Sequence, residues 1–156
     1  MLLEIIKEPN PVLKEPAAKV AKITPSVIEL AKNMAETMYK SKGVGLAAPQ
    51  VAVSLQIILF DDSPERNNPR VLINPTIVSH SRQKESAVEG CLSCSAEAEV
   101  ERWQAVTVKG KDLDWKTRTI KASGFLARVL QHEIDHLDGK TITETGRTVR
   151  PAELSP

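Results

Sequence analysis

The chain has 156 residues, of which 41% are apolar and 26% are charged. These values are close to the average for globular domains and exclude a disordered or fibrous protein. The net charge of +1 and the 3% of aromatic residues argue against a nucleic-acid-binding or membrane-surface protein. Glu4 interrupts the first apolar run, so the sequence predicts neither a signal peptide nor a membrane span, and we expect a cytoplasmic protein.

The first predicted element is an amphipathic helix over residues 25–40. Thr24 followed by Pro25 is typical of a helix N-terminus, and apolar residues at helical spacing continue to Met38. Gly43 is the expected end of this helix.

Short strands are predicted in the middle of the chain. Two of them are separated by Asn74-Pro75, and another two form a hairpin across a polar turn. The predicted strands cover residues 56–60, 71–73, 76–79, 105–109 and 117–121.

A second helix is predicted over residues 124–138, with a wide apolar face and with Gly139 as its left-handed end. Residues 140–156 are polar and are expected to wrap loosely. Two helices and several short strands predict a single α+β domain.

The helix over 124–138 contains the segment His132-Glu133-Ile134-Asp135-His136. Side chains four residues apart lie on the same face of a helix, so His132 and His136 can bind one metal ion. Glu133 lies on the same side, where a carboxylate can accept a proton from water and pass it to a leaving group. The third histidine, His80, lies in a polar segment and is expected to be solvated.

A catalytic metal ion usually has three protein ligands, so a third must be found. One class of metallopeptidase extends the helix motif to a third histidine, but the required position is occupied by Ile142. Another class uses a glutamate from a following helix, but the remaining glutamates, Glu144 and Glu153, lie in a tail without a helical pattern. Cys91 is the best candidate, because thiolate binds soft or borderline metals well. A closed structural zinc site with Cys94 as fourth ligand is the less favoured alternative, since the spacing is far longer than that of a zinc finger.

A third segment, Gly43-Val44-Gly45-Leu46-Ala47-Ala48-Pro49-Gln50, is rich in small residues. A ligand backbone can approach such a segment closely, and the Gln50 amide can donate to an oxyanion. The segment is not a phosphate loop, because no Lys-Ser/Thr pair follows it.

Together the three segments resemble the peptide deformylase family, enzymes that remove the N-formyl group from nascent chains. The resemblance rests on the order and spacing of the motifs and spans residues 1–142. The motifs are Gly43-Val44-Gly45-Leu46-Ala47-Ala48-Pro49-Gln50, Glu89-Gly90-Cys91-Leu92-Ser93 and Gln131-His132-Glu133-Ile134-Asp135-His136.

The resemblance implies a divalent metal ion bound by Cys91, His132 and His136, with Glu133 as general acid and base. Fe²⁺ is the expected native metal, and Zn²⁺, Ni²⁺ or Co²⁺ can also occupy such a site in purified protein. It also implies an ion pair between Arg102 and Glu89 behind the metal ligands.

Substrate contacts are implied as well. Gln50 and the backbone N–H of Leu92 are expected to donate to the formyl oxygen. Val44 and Gly45 are expected to pair with the substrate backbone. Independently of the resemblance, Gly90 has no side chain, so a substrate backbone is expected to come close to the sulfur of Cys91. The expected substrates are the N-formyl-Met peptides of nascent chains.

The implied architecture is a catalytic domain over residues 1–142, with short antiparallel sheets around a buried C-terminal metal-binding helix, and a short polar tail over 143–156. Family members commonly have an apolar residue and Pro where this chain has Cys94-Ser95. The tail has no room for the long helix that some members use to dock on the ribosome, so proximity to the ribosome is expected but docking by that route is not. A bacterial, phage-encoded or organellar member fits the sequence.

Two other functions remain open. One is a metallopeptidase that cleaves internal peptide bonds. The other is a non-catalytic relic of the fold that only binds peptides, although the ligand residues, Glu133 and Gln50 are all retained. Neither nucleic acid nor membrane is expected as a partner.

Overall fold

Two antiparallel β-sheets contact the second of two long helices in the computed structural model, which describes residues 1–151. The helices are α1 (Pro25–Lys40), α2 (Gly124–Leu137) and the one-turn α3 (Ile142–Thr145). The strands are β1 (Gly45–Ala47), β2 (Ile57–Phe60), β3 (Arg70–His80), β4 (Lys84–Glu89), β5 (Ala96–Trp103), β6 (Ala105–Lys111), β7 (Thr117–Ser123) and β8 (Arg147–Pro151). Short 3-10 helices cover Pro11–Lys14 and Ala48–Val51.

The strands form a five-stranded sheet in the order β1-β2-β3-β6-β7 and a three-stranded sheet in the order β4-β5-β8. All pairings between these strands are antiparallel, and the two strand orders place β1 and β4 each at a sheet edge. The predicted α+β class is confirmed, including the sheets around a buried helix near the C-terminal end. Within the described residues, none of the helices is long and apolar enough to cross a membrane.

Helix α1 begins where it was predicted. The Thr24 side chain accepts a hydrogen bond from the Val27 N–H, and Met34 and Met38 are fully buried on the inner face. The prediction that Gly43 ends the helix is wrong: the left-handed residue is Lys42, with a φ of 59°. Gly43 is constrained by packing instead, because a Cβ there would lie 2.9 Å from Leu92 Cδ1.

Strand β3 is continuous where two strands were predicted. Asn74 has a φ of 52° and the register shifts after Ile73, so the interruption at Asn74-Pro75 is a bulge within one strand. The Asn74 side chain accepts from the Val20 N–H at 2.9 Å and donates to the Val20 carbonyl at 2.9 Å. The pair of hydrogen bonds compensates for the local loss of strand pairing.

The sheet β4-β5-β8 was not predicted. In β5 small apolar residues alternate with glutamates, but the inward side also carries the buried Arg102. In β4 only Glu89 is buried, so no apolar alternation marks the strand. His80, expected to be solvated, is exposed and stacks on Trp103 with ring centroids 3.8 Å apart.

The prediction that residues 140–156 wrap loosely is wrong for the described part of that segment. Ile142 in α3 is buried at 2% exposure against Ala98 and Val100 of β5, and β8 pairs with β5. The sequence does not predict β8, because most of its residues are polar. Backbone hydrogen bonds to β5, rather than an alternating apolar face, hold this strand in the sheet. Residues 152–156 lie outside the described residues, and the proposed boundary between 142 and 143 stays a prediction.

Gly139 provides a test of the packing at the end of α2. It has a φ of 74°, and a Cβ there would lie 2.5 Å from the Lys14 carbonyl oxygen. Gly139→Ala should lower the free energy of unfolding in urea by about 3 kcal/mol, from backbone strain plus the clash. Gly124 is the matched control: its φ is 62° but a Cβ would meet nothing within 4 Å, so Gly124→Ala should cost only about 1 kcal/mol. Equal losses in the two variants would contradict the proposed packing.

Candidate metal centre

Two elements bring the predicted ligands together. Helix α2 presents His132 and His136 from consecutive turns, and Cys91 lies in the tight turn after β4, in which the Cys94 N–H donates to the Cys91 carbonyl at 3.1 Å. One ligand atom from each of the three residues lies within 4.8 Å of the others, and Cys91 Sγ is 3.4 Å from His136 Nε2. Ligands bonded to one tetrahedral ion lie roughly 3.5 Å apart, so the spacing suits a metal ion.

The lowered pKa of Cys91 suits a metal ion, whereas the raised pKa of His132 means that a metal ion must displace a proton from this imidazole. A hydrogen bond from Cys94 lowers the pKa of Cys91 well below its ordinary value, against the effect of burial, and His132 and His136 lower it further. Thiolate is the form of cysteine that binds metals. Burial disfavours the charged form of His132, but hydrogen bonds with Cys91 and Glu89 outweigh it and raise the pKa of His132 to about 10.

A buried carboxylate holds His132 in place. Glu89 Oε1 is 2.8 Å from His132 Nδ1, which leaves Nε2 of the ring directed to the cluster. Glu89 also accepts from Arg102 Nε at 2.7 Å and Nη2 at 2.9 Å, and Arg102 Nη1 donates to Asp135 at 2.8 Å. The expected ion pair between Arg102 and Glu89 is therefore present and bidentate. Burial alone would raise the pKa of Glu89, but hydrogen bonds from His132 and Arg102 lower it to about 2.

Glu133 lies beside the ligand cluster and is only 4% exposed. Within residues 1–151 its Oε1 has no hydrogen-bond partner, and the same is true of His136 Nδ1. Burial raises the pKa of Glu133, and the nearby His132 and His136 oppose this rise. A buried carboxylate without a partner is costly, so its presence here favours a role in proton transfer over one in folding.

The two predicted oxyanion donors lie near the cysteine. The Gln50 side-chain oxygen accepts from the Ala47 N–H at 3.0 Å, and its Nε2 donates to Ser93 Oγ at 3.1 Å and lies 3.7 Å from Cys91 Sγ. These contacts orient the amide with its N–H groups toward the ligand cluster. The N–H of Leu92 has no hydrogen-bond partner within the described residues.

A groove of about 710 Å³ leads to the cluster. Its walls come from the edge strands β1 and β4 and from α2, and the predicted substrate residues Val44, Gly45 and Gly90 all line it. A Cβ on Gly45 would lie 2.6 Å from Glu133 Oε2, so β1 packs directly on the carboxylate. A Cβ on Gly90 would meet only Glu97 at 3.9 Å, so the chain itself does not crowd this glycine.

Comparison with known proteins decides the family. The family model for polypeptide deformylase matches residues 2–151. The chain belongs to this family. The peptide deformylase of Desulforudis audaxviator is 47% identical over 149 residues, which cover 95% of this chain and 96% of the relative. That of Dictyoglomus thermophilum is 50% identical over 145 residues, 92% of each chain.

A solved structure agrees with this assignment. The peptide deformylase from Synechococcus elongatus, in complex with actinonin, superposes with a TM-score of 0.86 at 37% identity, over 93% of this chain and 79% of the other. The fold of this deformylase-family chain is therefore shared over most of its length.

One residue that lines the groove, Arg128, was not predicted from the sequence. Its guanidinium donates to Glu89 Oε2 at 2.5 Å, and its side chain lies on α2 one turn before His132. An arginine four residues before a predicted ligand lies on the same helix face, and that spacing could have identified it.

The departure from the family pattern at Cys94-Ser95 has a local structural explanation. Cys94 Sγ lies 3.4 Å from Glu8 Oε1, and the Thr143 hydroxyl donates to the same oxygen at 2.9 Å. Cys94 is not part of the cluster of three ligand atoms among the described residues, so the structure does not support a closed site with two cysteines.

Cys91→Ser tests the sulfur ligand. Replacing the thiolate by a hydroxyl should weaken zinc binding at least about 100-fold, because a neutral hydroxyl is a poor ligand at neutral pH. Cys94→Ser is the matched control and should retain metal. Competition with a chromophoric chelator measures both affinities, and unchanged affinity in Cys91→Ser would remove Cys91 from the site.

Glu89→Gln tests the carboxylate that holds His132. The pKa of Glu89 is near 2 in the folded chain and near 4.5 when unfolded, so its contribution to stability is complete above pH 4.5 and is lost as the pH falls toward 2. This contribution is roughly 3 kcal/mol at neutral pH. In urea unfolding of the metal-free proteins, Glu89→Gln should be less stable at pH 7, and the difference should narrow between pH 4.5 and 2. A difference independent of pH would contradict the pKa assignment.

Proposed function

We propose that the chain is a metal-dependent hydrolase that removes the N-terminal formyl group from formyl-methionyl polypeptides and releases formate. The observation that carries the proposal is the buried Glu133 beside Cys91, His132 and His136 at the inner end of an accessible groove. Membership of the polypeptide deformylase family supports the same activity.

Cys91, His132 and His136 would hold the ion, and thiolate with two imidazoles suits Fe²⁺ as well as Zn²⁺, Ni²⁺ or Co²⁺. When bound, the ion supplies Lewis acidity to water and to the formyl oxygen. We propose Fe²⁺ as the native metal. Elemental analysis of anaerobically purified protein, with activity measured for each reconstituted metal, tests this choice.

Glu133 moves the proton in the proposed mechanism. Its carboxylate accepts a proton from the attacking water and then donates it to the departing amine, so that one group serves both steps. Burial raises the pKa of Glu133, which makes its carboxylate a stronger base toward water. The close packing of Gly45 on Oε2 limits the positions that this carboxylate can adopt.

Gln50 and Leu92 bind the oxygen that becomes negatively charged in the transition state. The Gln50 amide is already oriented by Ala47 and Ser93, so donation to the oxyanion requires little reorganisation. The N–H of Leu92 supplies the second donor from the adjoining turn.

The substrate backbone adds to the groove as an extended segment. β1 and β4 are edge strands, and their free edges can accept backbone hydrogen bonds from a peptide. Val44 and Gly45 form one side of this arrangement and Gly90 the other. Apolar side chains in the lining, including Val88, Phe125 and Val129, suit the side chain of methionine.

The proposed substrates are nascent chains, which places the enzyme near the ribosome in the cytoplasm of a bacterium or of a phage-infected host. Turnover of a formyl-Met peptide, compared with a blocked peptide that has only internal amide bonds, tests the activity. Formate release from the first alone is expected. Cleavage of the second would instead support a metallopeptidase, and binding without turnover would support a non-catalytic protein.

Glu133→Gln separates proton transfer from metal binding. The amide keeps the shape of the carboxylate but cannot accept the proton, so kcat should fall by about 10²–10⁴. Metal content should remain at the wild-type level, because Glu133 is not one of the three ligands. A variant that is purified without metal, or one that retains turnover, would contradict the assigned role.

A further inference from the structure

Arg128 is a partly buried cation in the groove wall that the proposed mechanism does not use. Its side chain is 15% exposed. Nη1 donates to Glu89 Oε2 at 2.5 Å and to the Val100 carbonyl at 2.9 Å, and Nη2 donates to the Glu85 carbonyl at 2.7 Å. One guanidinium thus connects α2 to both β4 and β5.

These contacts matter because β4 and α2 face each other across the groove. Residues 85–89 of β4 line one side, and Phe125, Arg128, Val129 and His132 of α2 line the other. β4 is an edge strand supported by β5 on one side only, and five of its six residues are exposed. At the Glu89 end β4 is linked to α2 through His132, whereas at the Glu85 end the link is Arg128.

The fork of the guanidinium suits this position. Arg128 reaches three acceptors with fixed mutual geometry, including two backbone carbonyls on neighbouring strands, which a lysine ammonium on a flexible stem would hold less rigidly. The carbonyls of Glu85 and Val100 belong to the backbones of β4 and β5. The length of the Arg128 side chain therefore sets the distance between these strands and α2.

We propose that Arg128 is a specificity-determining residue that sets the distance between β4 and α2 and thereby the size of the first side chain that the groove accepts. The inference rests on the proposed function, because it assigns the groove to the formylated residue. Arg128 does not touch the reacting atoms in this account.

Metal binding should be separable from this role. Glu89 keeps its two hydrogen bonds from Arg102 and its bond with His132 when Arg128 is removed. The charge of Glu89 therefore remains paired, and His132 remains oriented. Removing Arg128 should alter the groove while the ligand cluster stays intact.

The test compares Arg128→Ala, Arg128→Lys and wild type on two formyl tripeptides that differ only in Met or Phe at the first position. In Arg128→Ala the ratio of kcat/KM for Met over Phe should fall roughly tenfold, mainly because KM for the Met peptide rises. Arg128→Lys should lie between Arg128→Ala and wild type. Arg147→Ala removes an exposed arginine that pairs with Glu99 outside the groove, and it should match wild type.

Calorimetric binding of the deformylated Met and Phe tripeptides gives the selectivity independently of turnover, and metal content is measured for every variant. Absence of turnover by the wild type, with selective binding that changes in Arg128→Ala, would contradict the proposed function but support the role of Arg128. An unchanged Met-to-Phe ratio in metal-loaded variants would overturn the proposal, as would loss of metal from Arg128→Lys. If Arg128→Ala does not fold, the ratio in Arg128→Lys decides.

Discussion

The ligand cluster depends on the hydrogen bonds made by the Glu89 carboxylate. Glu89 is the last residue of β4, two positions before Cys91, and it contacts His132 at 2.8 Å. It thereby joins the segment that carries the sulfur to the helix that carries both imidazoles. Burying charged groups costs several kcal/mol per ion unless they are paired. Here Arg102 pairs with both Glu89 and Asp135, and Arg128 is a second arginine partner of Glu89, so the carboxylate that contacts His132 is paired with opposite charge.

The N-terminal segment links the two segments that carry Gln50 and Leu92. The Ile6 N–H donates to the Gln50 carbonyl at 2.7 Å, and the Glu8 N–H donates to the Ser93 carbonyl at 2.8 Å. Lys7 Nζ donates to the Leu92 carbonyl at 2.6 Å. Three consecutive residues therefore connect the two loops that carry the proposed oxyanion donors, and this fixes their spacing without any direct bond between the donors.

The sequence predicted those parts of the fold and site that follow a local rule. The spacing of His132 and His136 on an apolar helix predicted a pair of ligands because helical geometry alone places them together. The start of α1 was likewise predicted from a local rule, because Thr followed by Pro is typical of a helix N-terminus. By contrast, β4, β5 and β8 are held by backbone pairing, and the inward position that an apolar residue would normally occupy in β5 is taken by Arg102. β4 and β8 have no alternating apolar pattern, and in β5 the alternation ends at Arg102, so the pairing of these strands and the contacts of Arg128 with β4 and β5 emerge only from the tertiary structure.

The most direct test of the account is the coordination of the bound metal, measured by X-ray absorption on the zinc-loaded protein. The account predicts one sulfur at about 2.3 Å and two imidazole nitrogens at about 2.0–2.1 Å, with a lighter ligand completing the coordination. The sulfur contribution should be absent from Cys91→Ser and retained in Cys94→Ser. A wild-type spectrum without sulfur, or with two sulfurs, would contradict the convergence of Cys91, His132 and His136 on one ion.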